Sequence, residues 1–448
     1  MWVLKRYLRG EMEVIRRSRF IKWLYPGMHI KRWLLLLMIG VAMAGLGIAY
    51  FLREIYVSFT FPPIFYYLTL QFIPQWGRGT LFVGLALVAV VVAVWQLNRS
   101  ILSALLPHQV NGHRPLVDVI YSHRFLRRGP KIVAIGGGTG LSVLLRGLKS
   151  YTANITAVVT VADDGGSSGR LRQEMGVLPP GDVRNCIVAL ADAEPLMTQL
   201  FQYRFPEGSA LAGHSFGNLF IVAMMGVVGS FEEAIRQTSR VLAVRGEILP
   251  STLENVTLCA RTDGGTLEGE SRIGGGHGRI LEVYLSPPDP PACPEAVRAI
   301  LEADMIVLGP GSLYTSIIPN LLVRGIRQAI LASSALKVYV CNVATQPGES
   351  DGCGVAEHVK AIEDHVGRPF LDVVVVNSNI APLKPEWRAE PVCITSPIPR
   401  SLRVVQEDVV DERDRRRHDP QKLARVLMAL YYEREQRAQP LSLNEVSR

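Results

Sequence analysis

The chain has 448 residues, a formal net charge of +8 and 48% hydrophobic residues, and this length predicts at least two folded units. Residues 1–131 contain 17 Lys and Arg against 4 Asp and Glu, whereas residues 132–448 contain 31 against 36. The larger part therefore lacks the basic excess of a nucleic-acid-binding domain, and we expect no nucleic-acid partner. Its six cysteines form no Cys-x-x-Cys pair, which argues against a zinc site or a redox dithiol.

Two long apolar segments near the amino terminus predict a transmembrane hairpin. A basic leader, residues 1–32, precedes an uncharged stretch at 33–52, and a second uncharged stretch follows at 79–97. Each has about 20 residues, the length that crosses about 30 Å of hydrocarbon. Lys and Arg are frequent outside this hairpin and sparse within it, so the positive-inside rule places the amino terminus and the large carboxyl-terminal part in the cytoplasm. The alternative is a pair of buried helices in a soluble protein.

The rest of the chain predicts an α/β fold. Residues 98–130 contain several Pro and Gly, which predicts a linker. Residues 131–410 are predicted to form the folded α/β domain. Short apolar runs alternate there with helical stretches, which is typical of a mostly parallel, Rossmann-like sheet; the runs are 132–135, 155–161, 305–308, 337–341 and 373–376. Residues 261–265 and 274–278 predict hairpin or loop connections. Residues 411–448 predict a charged tail with an amphipathic helix.

The most informative segment is the glycine-rich turn at 136–140, between a predicted strand and a predicted helix. Backbone N–H groups and the helix dipole can hold a phosphate at such a turn. We therefore predict ligand contacts at Gly137, Gly138, Thr139 and Gly140. The glycine spacing matches neither the dinucleotide fingerprint nor a Walker A loop, which disfavours a dehydrogenase. The alternative is a glycine turn without a ligand.

Two adjacent acidic residues, Asp163 and Asp164, follow the second predicted strand. A carboxylate at this position can accept hydrogen bonds from a ribose or bind Mg²⁺. Neighbouring side chains at a strand end cannot both point the same way, so we expect one of the two to carry the role. The alternative is a pair of solvated turn residues.

Three further clusters supply polar groups where a nucleotide site would need them. The hydroxyl-rich run that follows contributes Ser167, Ser168 and Arg170, the last as a phosphate ligand. Other candidates lie at two later helix starts, where helix capping is the alternative role; they are Asp182, Asn185, His214 and Asn218.

A second glycine-rich turn follows the predicted strand at 305–308. It contributes the candidates Gly309, Gly311, Ser312, Tyr314 and Thr315. Ligands collect at the carboxyl ends of parallel strands, so two such turns predict a shared cleft. We expect both turns to hold a diphosphate. No nucleophile elbow or kinase signature accompanies them, so the residues predict binding and leave the catalytic residues unknown.

Five motifs together closely resemble the YvcK branch of the CofD-like family, the gluconeogenesis factors. They occur in one order, as Gly-Gly-Gly-Thr-Gly at 136–140, Ala-Asp-Asp-Gly-Gly-Ser-Ser-Gly-Arg-Leu-Arg at 162–172, Pro-Pro-Gly-Asp-Val-Arg-Asn at 179–185, Gly-Pro-Gly-Ser-Leu-Tyr-Thr-Ser-Ile-Ile-Pro-Asn at 309–320 and Thr-Gln-Pro-Gly-Glu at 345–349. The resemblance covers residues 130–435. It implies a Rossmann-like domain that binds UDP-sugars, UDP-N-acetylglucosamine in particular.

The resemblance also implies a regulatory role in cell-envelope precursor supply, cell shape and gluconeogenic growth, with a protein partner in that pathway. A homo-oligomer is a further expectation. CofD transferases, which are related, transfer a phospholactyl group using Mg²⁺, and Asp163 and Asp164 match their acidic pair. An Mg²⁺-dependent transferase with a nucleotide-linked donor is therefore the alternative function. The predicted transmembrane hairpin departs from the soluble family members.

Overall fold

The computed structural model describes residues 126–192, 195–275 and 278–438, together with scattered positions between 39 and 96. The chain divides into two units, Met1–Tyr121 and Ser122–Arg448. This boundary falls inside the predicted linker, residues 98–130, most of which lie outside the described residues.

The first unit contains two apolar helices, Ile39–Ala49 and Gly79–Val92. Over the residues that the structure describes, no single helix combines the length and the apolar composition needed to cross a membrane. One helix pair bent by 118°, Phe216–Val228 with Phe231–Val241, meets that requirement by length and composition only. The basic leader and much of the predicted spans and linker lie outside the described residues, so the hairpin stays a prediction.

Over its described residues the second unit is an α/β fold with ten strands. In chain order they are β1 (Ile132–Gly136), β2 (Ile155–Val159), β3 (Glu247–Pro250), β4 (Thr257–Thr262), β5 (Gly265–Glu268), β6 (Ile280–Ser286), β7 (Met305–Leu308), β8 (Leu336–Val340), β9 (Val373–Asn377) and β10 (Arg403–Glu407). Seven form a main sheet in the order β10-β9-β8-β7-β1-β2-β3, and every neighbouring pair in it is parallel. The predicted parallel α/β sheet is therefore confirmed. A smaller antiparallel sheet has the order β5-β4-β6.

Helices connect the strands. They are α1 (Gly138–Leu148), α2 (Gly166–Met175), α3 (Gly181–Leu190), α4 (Pro195–Gln202), α5 (Phe216–Val228), α6 (Phe231–Val241), α7 (Glu270–Ile273), α8 (Pro294–Leu301), α9 (Ile318–Leu322), α10 (Arg324–Ala332), α11 (Val355–Val366) and α12 (Pro420–Ala438). A π-helical turn, Leu313–Ile317, leads directly into α9. A short 3₁₀ turn, Pro385–Trp387, precedes β10.

The order of the main sheet fixes where a ligand cleft can form. From β1 the chain moves outward through β2 to β3, and it later returns to the other side of β1 with β7. The register pairs Ile135 with Val158 on one side and with Leu308 on the other. The strand order thus reverses between β1 and β7. In open α/β sheets ligands bind at this reversal, outside the carboxyl ends of the strands.

The core is formed by strands buried on both faces and by the apolar sides of the helices. Every residue of β1, β7 and β9 is buried, as parallel strands covered by helices require. The predicted helix of the charged tail is α12, and Leu423, Leu427 and Leu430 are buried on it. Gly147 of α1 permits close packing, since a Cβ there would lie 2.9 Å from the Cβ of Ala424. The tail helix is therefore part of the α/β body.

Candidate functional site

The two predicted glycine-rich turns lie side by side at the strand-order reversal. We call residues 136–140 the β1 turn and residues 309–315 the β7 turn. A Cβ on Gly140 would overlap the carbonyl group of Pro310 and lie 2.9 Å from the Cα of Gly311. A Cβ on Gly136 would lie 3.9 Å from the Cα of Gly309. Glycine is needed at Gly140 because the two backbones approach each other there without room for a side chain, whereas a Cβ on Gly136 would make only ordinary contacts.

The β1 turn presents the amino terminus of α1. Gly138 has a φ of +62°, a left-handed conformation that favours glycine, and its N–H donates to the buried carboxylate of Asp182. The first N–H groups of a helix have no partner inside that helix. The N–H groups of Thr139 and Gly140 are therefore suited to an anion, and Thr139 is exposed. This arrangement can hold a phosphate.

Several N–H groups of the β7 turn are already hydrogen-bonded within the protein, and the expectation that this turn holds a diphosphate stays a prediction. The carboxylate of Glu349 accepts hydrogen bonds from the N–H groups of Tyr314 (2.7 Å) and Thr315 (3.1 Å), and the Thr315 hydroxyl lies 3.4 Å from its second oxygen. The N–H of Gly311 donates to Oδ1 of Asn342 at 3.3 Å. An internal carboxylate thus occupies the place that a phosphate would take at this helix start.

Further side chains fix this turn in place. Gln346 donates from Nε2 to the Ser312 hydroxyl at 2.7 Å. The Tyr314 ring is half-buried and packs edge-on against the ring of His365, with centroids 6.3 Å apart. Burial raises the pKa of Tyr314 to about 12, so its hydroxyl stays protonated and can donate a hydrogen bond.

The adjacent acidic residues turn to different loops. Oδ1 of Asp163 accepts the N–H of Gly165 at 2.9 Å, and its Oδ2 would lie 3.0 Å from a Cβ on Gly181. Oδ1 of Asp164 instead accepts the N–H of Ser271 at 2.8 Å. Nowhere among the described residues do three or more His, Cys, Asp or Glu side chains form a group that could hold a metal ion. The acidic pair therefore does not fit a metal site built from protein ligands alone.

The carboxyl group of Glu270, from far along the chain, lies near enough to this pair for their charges to affect it. Glu270 begins α7, and burial raises its pKa to about 10, with Asp163 and Asp182 adding to the shift. Burial likewise raises the pKa of Asp182 to about 7, with Asp163 as the next cause, and the pKa of Glu349 to about 6. Desolvation and mutual repulsion both favour the neutral acids. The cleft thus combines backbone N–H donors with carboxyl groups held partly protonated.

Four of the predicted residues form a buried hydrogen-bonded network. The Ser167 hydroxyl lies 3.0 Å from Nδ1 of His214. Asn218 donates from Nδ2 to the hydroxyls of Ser167 (3.1 Å) and Ser168 (3.5 Å). Burial and the nearby Arg170 lower the pKa of His214, which favours the neutral imidazole. This network joins α2 to α5, and Ser215 rather than His214 caps α5.

The remaining predicted residues lie at the margin of this network. Arg170 donates to the carbonyl oxygen of Ala212 at 2.7 Å, and Asn185 accepts from Arg184 at 2.8 Å. Asp182 is not a helix cap, because Pro180 occupies that position; it lies against the β1 turn instead. The predicted roles of Arg170 and Asn185 in ligand binding stay predictions.

Sequence reasoning missed Glu270 and Asn320 and did not single out Glu349. Asn320 is fully buried and donates from Nδ2 to the carbonyls of Gly136 (3.1 Å) and Ser316 (2.8 Å). Both Asn320 and Glu349 fall within motifs that carry the family resemblance, which is the one signal that could have indicated them. Glu270 has no comparable local signal, since its partners lie about 90 to 110 positions earlier in the chain.

Comparisons with known proteins agree with this architecture. A family model described as 2-phospho-L-lactate transferase CofD matches residues 132–396. A putative gluconeogenesis factor of Nostoc sp. is 49% identical over 436 residues, 93% of each chain. The gluconeogenesis factor of Bacillus subtilis is 48% identical over 313 residues, which are 68% of this chain and 99% of that protein.

A solved structure supports the same assignment. The crystal structure of a UPF0052 family member from Bacillus halodurans is similar with a TM-score of 0.63 and 44% identity, covering 67% of this chain and 99% of that one. The Nostoc protein covers more of this chain than the α/β unit alone contains, so its match extends into the amino-terminal unit. The chain therefore belongs to the CofD-like family, where its close relatives are gluconeogenesis factors.

Proposed function

We propose that this protein is a regulatory protein that binds a UDP-sugar, UDP-N-acetylglucosamine in particular, in a cleft at the carboxyl edge of the main sheet, where the β1 and β7 turns meet. The observation that carries the proposal is the contact between these turns at the strand-order reversal, which brings Gly140 against Pro310 and Gly311. At this point the amino terminus of α1 can bind the phosphate of a nucleotide ligand, and the polar side chains nearby can contact its sugar and base.

The chemistry of the cleft suits a ligand with both phosphates and hydroxyl groups. The N–H groups of Thr139 and Gly140 would bind a phosphate oxygen. Asp163 or Asp164 would accept hydrogen bonds from ribose or sugar hydroxyls, because carboxylates are strong acceptors. The half-buried ring of Tyr314 would pack against the nucleoside or the sugar. A nucleotide sugar offers all three kinds of partner in one molecule.

The relatives favour regulation over catalysis, since the proteins from Bacillus subtilis and Nostoc sp. are described as factors. We infer a role in supplying cell-envelope precursors and in gluconeogenic growth, exerted through a protein partner. The description of the family model favours the second candidate, a phospho-group transferase. The divergent Asp163 and Asp164 do not form a metal site with the described residues, so we derive no Mg²⁺-dependent step.

Calorimetric titration of the purified full-length protein tests the binding proposal. UDP-N-acetylglucosamine should bind, UDP should bind more weakly, and NAD should give no heat. Absence of heat with UDP-N-acetylglucosamine at millimolar concentration would rule out the proposed ligand. Turnover of a nucleotide-linked donor with Mg²⁺, abolished by Asp163→Asn, would instead favour the transferase.

We also propose that the amino-terminal unit attaches the protein to a membrane, with both ends in the cytoplasm. Apolar side chains of Gly79–Val92 are exposed, including Val83, Leu85 and Leu87 at 63–67%, and lipid would cover them. Carbonate washing of membranes from the native organism tests this proposal. The full-length protein should stay in the pellet, whereas release into the supernatant would contradict membrane insertion.

A further inference from the structure

Glu349 holds the β7 turn in the way that a bound anion would. Its carboxylate is 9% exposed and accepts from the N–H groups of Tyr314 and Thr315. These groups begin the ten-residue helical segment Leu313–Leu322, whose amino-terminal N–H groups and dipole favour negative charge. A ligand phosphate that approaches the β7 turn must therefore meet a carboxylate that already occupies its donors.

Polar contacts hold the segment that carries Glu349, and its first residue, Thr345, is also paired with Glu390 through two hydrogen bonds. Residues 345–353, which we call the β8 loop, follow β8. Glu349 joins this loop to Tyr314 and Thr315, and Gln346 joins it to the Ser312 hydroxyl at 2.7 Å. Oε1 of Gln346 is buried and lacks a hydrogen-bond partner among the described residues. A buried acceptor left unpaired has an energetic cost, and a donor arriving with a ligand would remove it.

We propose that Glu349 is an internal competitor for the ligand's phosphate, and that binding of a nucleoside diphosphate displaces it and releases the β8 loop. The inference rests on the proposed function and adds a mechanism of regulation to it. A binding protein signals only if its ligand favours one of two conformations. The two conformations differ in which anion occupies the N–H groups of Tyr314 and Thr315, the Glu349 carboxylate or the ligand phosphate. The ligand favours the second conformation because the two anions cannot share the donors.

The Glu349→Gln variant tests the competition directly. Gln retains an oxygen that can accept from Tyr314 and Thr315 but removes the negative charge, so the turn keeps its shape and the ligand meets less repulsion. We expect UDP-N-acetylglucosamine to bind about tenfold more tightly, within the usual range of coupling between two binding events. Asp351→Asn is the matched control, since it removes the same charge from the same loop. The Asp351 side chain accepts from the N–H of Gly348 and does not contact the β7 turn. The affinity of Asp351→Asn for UDP-N-acetylglucosamine should stay within about twofold of the wild-type value.

Amide hydrogen exchange tests the release of the loop. The N–H groups of Gln346, Glu349 and Ser350 are hydrogen-bonded inside the loop. In the wild type their exchange should accelerate when UDP-N-acetylglucosamine binds, although most sites slow when a ligand stabilises a fold. Unchanged affinity in Glu349→Gln together with unchanged loop exchange would overturn the inference while the proposed function stands. Weaker binding by Glu349→Gln would also overturn it, because Glu349 would then be a ligand contact.

Failure of the proposed function has a different signature. In that case the wild type and both variants would all fail to bind UDP-N-acetylglucosamine. Titration of the same three proteins with inorganic pyrophosphate then decides the inference. Tighter pyrophosphate binding by Glu349→Gln alone supports the competition, and equal or absent binding in all three proteins rejects it.

Discussion

Asn320 donates its side-chain amide to the carbonyl of Gly136, 184 positions earlier in the chain, at 3.1 Å. The same amide donates to the carbonyl of Ser316 at 2.8 Å. The end of β1 is thereby fixed to the helical segment that follows β7. This fully buried side chain holds together the two elements between which the candidate cleft lies.

Replacing Asn320 by Ala should destabilise the α/β unit. The change removes both hydrogen bonds and leaves a small cavity, and we expect a loss of about 2 kcal/mol in the free energy of unfolding. Urea denaturation followed by circular dichroism measures it. Gln328→Ala, an exposed change on α10, should stay within about 0.5 kcal/mol of the wild type. Equal stability of the two variants would mean that Asn320 does not hold the turn.

Replacing Gly140 by Ala should separate the β1 and β7 turns. The added Cβ would overlap the Pro310 carbonyl group and lie 2.9 Å from the Cα of Gly311. Overpacking of this kind costs about 1–3 kcal/mol, and displacement of the first turn of α1 should weaken the binding of UDP-N-acetylglucosamine at least about tenfold, as roughly 1.4 kcal/mol of lost binding energy would. Calorimetric titration and thermal unfolding measure the two effects.

Gly226→Ala is the control for that substitution. Gly226 lies in α5, where a Cβ would have no atom within 4 Å, and Ala is favoured over Gly in a helix by about 0.5–1 kcal/mol. This variant should bind normally and be slightly more stable. If Gly140→Ala retained wild-type affinity, the turns would not have to remain in contact for binding.

Replacing Glu270 by Gln should stabilise the ligand-free protein in a way that depends on pH. Burial and the carboxylates of Asp163 and Asp182 raise the pKa of Glu270 from 4.5 to about 10. Between these values the folded state binds more protons than the unfolded state, so this group's contribution to stability falls as pH rises. Glutamine has no charge to bury and avoids that loss.

Thermal unfolding at pH 5 and pH 9 measures the effect. Glu270→Gln and the wild type should differ little at pH 5, and the variant should melt higher at pH 9 by at least about 1–2 °C, the shift for about 1 kcal/mol in a unit as long as Ser122–Arg448. Glu268→Gln, an exposed change on the neighbouring β5, should follow the wild type. A difference that is constant with pH would show that the charge of Glu270 is not responsible.

Local sequence predicted the main elements because their physical causes are local. The continuous apolar runs became β1, β2, β7, β8 and β9, although β2 ends at Val159 rather than at 161. The short strands β3 and β10 were not predicted; they are the outer strands of the sheet, and β10 has only two partly buried residues and no fully buried one. An outer strand such as β10 needs fewer apolar residues, so its pattern is weaker; β3 has three buried residues, but a run of four positions is too short to be assigned from its pattern.

The sequence by itself determined the two glycine-rich turns, the carboxylates after β2 and the family to which these motifs belong, because each depends on residues close together in the chain. Only the tertiary structure decided what those turns contact. Strand order brought β7 against β1, and folding placed Asp182 on the N–H of Gly138 and Glu349 on the N–H groups of Tyr314 and Thr315. These pairings depend on which distant segments meet, and the energy of meeting comes from burial across the whole sheet rather than from any local pattern.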